Sequence, residues 1–187
     1  MPKLTIETLK KEALNFSRIE SRHKEKSLFG VTDGTAVGTY VEHKFRNYLK
    51  TKYDFEEGSS ANGIDFPGLN VDMVFTNILE PYPTSPLKSA RQKIYGLEHS
   101  LIWFLYEKTN IHESKRAKIN IVSAFFVDKT NTADFKTTSG IISVFKNDGN
   151  QDDVMAYILD SRLTYNEAEA SKLAAEVLSN PPKLGFK

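Results

Sequence analysis

Two aspartates, Asp65 and Asp72, stand seven residues apart on either side of the four-residue stretch FPGL. Proline and glycine between two short apolar stretches are a turn signal, so the spacing predicts a hairpin with one aspartate on each arm. In the second arm, Asn70 to Thr76, the side chains alternate. Val71, Met73 and Phe75 point to one face, and Asp72, Val74 and Thr76 to the other. Closing such a hairpin brings the two carboxylates to within ~6 Å, where they repel unless a cation joins them or one takes up a proton. Hard divalent cations such as Mg²⁺ bind through one or two carboxylates and leave other positions to water and phosphate. A plainer alternative makes Asp65 a hairpin cap and Asp72 an exposed strand position. Aspartate is disfavoured in strands, however, and its place between Val71 and Met73 calls for a reason.

Other chemistries are poorly supplied. The chain has no cysteine, which removes thiolate metal sites, disulfides and cysteine nucleophiles. The histidines His23, His43, His99 and His112 form no HExxH pattern or spaced metal pair. The glycine-punctuated segment GVTDGTAVGT is not a phosphate loop, because no GK[ST] follows it. Lys and Arg total 25 against 24 Asp and Glu, a net charge of +1 that argues against general electrostatic binding to nucleic acid and leaves a local basic face open. No apolar run approaches the ~20 residues that span a bilayer. The N-terminal stretch MPKLTIETLKKEALNF lacks the apolar core of a secretion signal. The expectation is a cytoplasmic protein without membrane association.

The elements that must position these carboxylates can be read from periodicity. With 187 residues, 40% of them hydrophobic and including 12 Phe and 8 Tyr, the chain suits one domain, residues 1–187, with a sizeable core. A first helix is expected from Thr5 to about Lys26, with Ile6, Leu9, Ala13, Phe16 and Ile19 as its apolar stripe. A second is expected from about Val37 to Lys50, with Glu42 at the edge of its stripe. Tyr53 to Phe55 suggests a short strand before the hairpin. The proline-rich EPYPTSP must be a loop. Leu87 to Leu97 reads as a helix, SLIWFLYEK and INIVSAFFVD as buried strands with Trp103 in the core, and Ile141 to Phe145 as a mixed segment. A short helix near Asp153 to Asp160 and a closing helix complete the chain, the latter starting at Thr164 in a capping box with Glu167. The sum is an α/β fold with a mixed sheet flanked by helices.

From Val37 to Tyr106 this arrangement resembles type II restriction endonucleases of the PD-(D/E)XK superfamily. The resemblance rests on GIDFPGLNVD, followed after the proline-rich loop by KSARQKIYGL and an apolar strand ending in Tyr106. It implies a restriction-endonuclease-like core and Mg²⁺-dependent hydrolysis of phosphodiester bonds in double-stranded DNA. Glu42 matches the superfamily's helix Glu, Asp65 its first Asp, and Asp72 the acidic residue of its D-x-K triplet. Asp65 and Asp72 would hold the metal, with Glu42 supporting it or its water.

The triplet departs from the pattern: it is Asp72-Met73-Val74, with valine where the family has lysine. That lysine orients or activates the attacking water and stabilises charge on the phosphorane. Three explanations stand. A lysine from elsewhere reaches the site, Lys93 first and Lys44 behind it; the chain is an inactive homologue that still binds DNA; or the resemblance is coincidental. Ser85, Lys88, Arg91 and Gln92, at the start of the KSARQKIYGL helix, are candidate DNA contacts, since Lys and Arg position phosphates and Arg and Gln read base edges. An ordinary solvated helix face is the alternative. The resemblance also implies a homodimer, because a two-fold protein matches a palindromic site.

Overall fold

The computed structural model describes residues 1–58, 63–80 and 85–186. The chain divides into two compact units, Met1–Thr84 with Leu101–Phe126, and Ser85–Ser100 with Val127–Lys187.

The first unit contains the sheet. Helix α1 spans Ile6–Glu20, capped by Thr5, whose hydroxyl accepts from Thr8 N–H while Thr8 returns the bond to Thr5 N–H. Its buried face runs Leu9, Ala13 and Phe16, then passes to Ser17 and Glu20. Ile19, expected in the stripe, is 56% exposed, because a 3.6-residue period carries it off the face that Leu9 and Phe16 define. The helix also stops earlier than expected: Lys24–Glu25 form a two-residue strand, β1.

Helix α2, Gly34–Lys50, begins three residues before its expected start, with Asp33 accepting from Thr35 N–H. Val37, Val41, Phe45 and Leu49 recur every fourth residue and are fully buried or nearly so. Tyr53 to Phe55 contributes a single parallel bridge, Lys3 with Asp54, rather than a strand. The hairpin forms in reduced size. Phe66 and Val71 exchange both backbone hydrogen bonds, Pro67–Leu69 make one 3₁₀ turn, and Asn70 closes it in the left-handed region at φ 55°.

Strand β2 is Val71–Asn77, β3 is Ser100–Ile111 and β4 is Arg116–Val127. The sheet order is β1-β4-β3-β2. β1 is antiparallel to β4, and the short 3₁₀ link His112–Ser114 joins β3 to β4. Ring stacking of Phe75 on Phe104 and the bond from Ile78 N–H to Tyr106 C=O advance together along β2 and β3, so these strands run parallel and the sheet is mixed, as expected. Val71 and Met73 face the core while Asp72 and Val74 face away, the alternation read from sequence. Trp103 does not enter the core. It lies half-buried on the other face, donating to Thr76 Oγ1 at 2.8 Å and stacking on Phe125. The core of this unit joins α1, α2, β2 and β3 through rings of Phe16, Phe45, Phe75 and Phe104, and β4 adds Ala117, Ile119 and Ile121.

The second unit is helical: α3, Ala90–Tyr95; α4, Phe135–Lys146; α5, Gln151–Asp160; and α6, Glu167–Ser179. The α3 helix is shorter than the expected Leu87 to Leu97, ending at Gly96 with φ 83°. The segment around Ile141 to Phe145 is helical rather than mixed. Its β-branched residues favour strand, but the Asp134 cap and burial of Thr137, Thr138 and Ile141 override that preference. The closing helix is capped by Asn166, which accepts from Glu169 N–H, and Thr164 instead donates to the Glu169 carboxylate. From Pro81 to Thr84, the expected proline-rich loop lies outside the described residues. Among the described residues no helix is long and apolar enough to cross a membrane.

Candidate active site

One edge of α2 carries Glu42 and, one turn later, Arg46. The pair forms because residues four apart lie on the same helical face, and the Arg46 guanidinium hydrogen-bonds Glu42. The same guanidinium reaches across to Asp65, at the base of the hairpin. Asp65 is buried, and its other carboxylate oxygen accepts from Met73 N–H at 2.8 Å. Asp65 N–H in turn donates to Asp72 Oδ1 at 3.2 Å. The two aspartates therefore lock the hairpin, Asp65 through the Met73 backbone and Asp72 through the Asp65 backbone, and their side chains are hydrogen-bonded as well. Gly58 lets the preceding chain lie against the Asp65 arm: its N–H donates to Asp65 C=O at 2.9 Å, and a Cβ there would fall 1.7 Å from Ile64 C=O.

These groups line a cleft of about 340 Å³ formed by Glu42, His43, Arg46, Gly58, Gly63, Ile64, Asp65, Asp72 and Met73. Its electrostatics show a shortage of positive charge. Burial, then the hydrogen bond and negative charge of Asp65, push the Asp72 carboxyl up to about 7, against the opposing backbone donors Asp65 N–H and Met73 N–H. Burial and the Asp65 charge also raise Glu42, with Arg46 working against them. Burial disfavours the Arg46 guanidinium, but its bond to Asp65 and the charges of Asp65 and Glu42 outweigh that and hold it protonated.

The residues fit a cation of the Mg²⁺ type. Among the described residues no group of three or more His, Asp or Glu could enclose an ion. The fit is to the sparse mode of binding, with two carboxylates and the remaining positions left to water and phosphate.

Asp65 and Asp72 meet across the hairpin, as their spacing suggests, and Glu42, singled out by the resemblance, lines the same cleft. Lys44 is not with them: its ammonium pairs with Glu20 at 2.8 Å and lies over the Tyr40 ring. Lys93 belongs to the second unit, on α3, where its carbonyl accepts from Asp134 N–H. The other nominated residues surround it in sequence. Ser85 accepts from Leu87 N–H, and Gln92 Oε1 accepts from Lys88 N–H at 2.7 Å. Arg91 pairs with Glu176 at 2.9 Å and lies over Tyr95. Arg46 was missed by sequence reasoning; its one signal was its position four residues after Glu42.

Comparison with known proteins identifies the family of the chain. The family model for type II restriction enzyme NspV matches residues 3–187. The type II restriction enzyme NspV of Nostoc sp. (strain ATCC 29411 / PCC 7524) is 51% identical over 183 residues, covering 98% of this chain and 83% of that protein. No solved structure matches the chain significantly. A full-length family match and a relative this similar place the chain in the NspV family of type II restriction enzymes, as a restriction endonuclease-like protein.

Proposed function

We propose that the protein is a PD-(D/E)XK nuclease that hydrolyses phosphodiester bonds in double-stranded DNA with Mg²⁺ held by Asp65 and Asp72. The observation that carries this is the convergence of those two carboxylates on one cleft, with Asp65 N–H donating to Asp72 Oδ1. Mg²⁺ in that position would supply Lewis acidity toward the phosphate and lower the pKa of the attacking water. Asp65 is oriented by Met73 N–H and Asp72 by Asp65 N–H, so both ligands are set by the hairpin backbone before any ion arrives. Glu42 lines the same cleft, and Lys93 stands as the lysine from elsewhere in the chain. Ser85, Lys88, Arg91 and Gln92 are proposed as DNA contacts, Arg91 exchanging Glu176 for a phosphate.

Val74 favours a second reading, an inactive homologue that binds DNA without cutting it. Incubation with mixed-sequence supercoiled plasmid and Mg²⁺ or Mn²⁺ separates the two. Discrete fragments are expected. Binding that weakens steeply with salt, without cleavage, would support the inactive homologue, and no binding at all would end both readings.

We further propose a homodimer, since a specific DNA complex typically buries ~1,000–2,500 Å² of protein surface, more than a chain this short readily offers alone. Sedimentation equilibrium with and without duplex DNA should show a species of twice the chain mass. A single 21.2 kDa species in both conditions would overturn the dimer.

A further inference from the structure

We propose that Arg46 is the cation that grips the non-bridging oxygens of the scissile phosphate, and that Glu42 is its positioning residue. This rests on the nuclease reading of the cleft. A phosphodiester entering beside Glu42, Asp65 and Asp72 meets negative charge, and β2 offers nothing to offset it, because position 74 is valine. Among the described residues of the cleft wall, Arg46 is the one permanent cation. Its planar fork matches two phosphate oxygens in a way that a point charge does not.

Three features indicate that its bond to Asp65 can be exchanged. Asp65 keeps a second partner, Met73 N–H, when the guanidinium leaves. Arg46 keeps Glu42, one turn back on the same rigid helix, and so stays at the cleft. Its Nε is buried without a hydrogen-bond partner among the described residues, a donor left over in the ion-paired state. Asp65 and Asp72 would hold a cation, and with Asp65 so engaged the Arg46 guanidinium would be released from it to meet the phosphate. Arg46 exchanges no proton in the reaction. The bond from water oxygen to phosphorus forms as one ester P–O bond breaks. The attacking water loses its proton to bulk water, and the leaving alkoxide takes one from bulk water.

The test uses the full-length protein, supercoiled plasmid and Ca²⁺ as a metal that binds without turnover. Under single-turnover conditions with Mg²⁺, Arg46→Gln should cut roughly 10²–10³-fold more slowly than wild type, as for loss of one preorganised charge donor. Arg46→Lys should recover at least about tenfold of that loss, because a charge is restored without the fork. In calorimetry without DNA, Ca²⁺ should bind Arg46→Gln about tenfold more tightly than wild type, a competitor for Asp65 having been removed.

An ion pair that merely holds the fold would give the opposite sign, with Ca²⁺ affinity falling as the carboxylates lose their arrangement. The double variant Arg46→Gln with Val74→Lys places an ammonium beside Asp72 from the other wall and should recover at least about tenfold of the lost rate. An ion pair between α2 and the hairpin could not be replaced from β2. Wild-type cleavage with undiminished Arg46→Gln cleavage ends this proposal alone. So does a larger loss from Lys93→Gln than from Arg46→Gln, or melting that shows both Arg46 variants unfolded. Wild-type protein that cuts nothing ends the nuclease reading and this proposal with it.

Discussion

Asp72→Asn should lower Mg²⁺-dependent cleavage at least roughly 10³-fold while making the metal-free protein more stable above pH 7. Both effects come from one carboxylate. In the folded chain Asp72 titrates at about 7, above the ordinary value of 3.8 that it regains on unfolding. Below pH 4 both states hold the proton and Asp72 adds no penalty. Between about 4 and 7 the folded state holds a proton that the unfolded state has released. Stability therefore declines as pH rises through this window, by at most about 1.4 kcal/mol per pH unit, and levels off above 7. Asparagine keeps the acceptor oxygen for Asp65 N–H and removes the charge, which should flatten the decline. The check pairs single-turnover cleavage with thermal melting in EDTA at pH 5 and pH 8. A variant that cuts at the wild-type rate, or that is no more stable than wild type at pH 8, would contradict the site.

Phe104→Ala should cost roughly 3–5 kcal/mol, a large part of the ~5–15 kcal/mol by which most domains are stable. Phe104 has no exposed surface and meets Phe45 and Phe75 at centroid distances of 5.2 and 4.9 Å and Phe16 at 6.4 Å. Phe45 lies on α2 between Glu42 and Arg46, and Phe75 lies on β2 three residues beyond Asp72. The ring therefore sets the distance between the helix and the strand that carry the site. The cavity it leaves should loosen that spacing, lowering Ca²⁺ affinity as well as the urea midpoint. A midpoint shift worth less than about 1 kcal/mol would show that the rings repack around the gap.

The sequence by itself determined the features that local rules govern. Four-residue spacing in α2, alternation in β2, the proline-glycine turn and the long apolar strands each follow from a short-range periodicity or a backbone preference. With them came the meeting of Asp65 and Asp72, since a hairpin brings its own arms together whatever surrounds it, whereas Glu42 reaches them only because α2 packs beside the hairpin. Features that depend on partners distant in the chain were decided only by the tertiary structure. Ile19 lost its place in the core to Glu20, which pairs with Lys44, and Trp103 took the outer face beside Phe125. The β-branched run near Ile141 became helix because burial outweighs intrinsic preference by more than the few tenths of a kcal/mol that separate those residues. Arg46 belongs to this second group. Four residues after Glu42 it reads as an ordinary helix ion pair, worth ~0.3–0.5 kcal/mol when exposed. The hairpin brings Asp65 against it and half-buries it, and a guanidinium shared between two carboxylates in a partly desolvated cleft interacts more strongly than one on a solvated face.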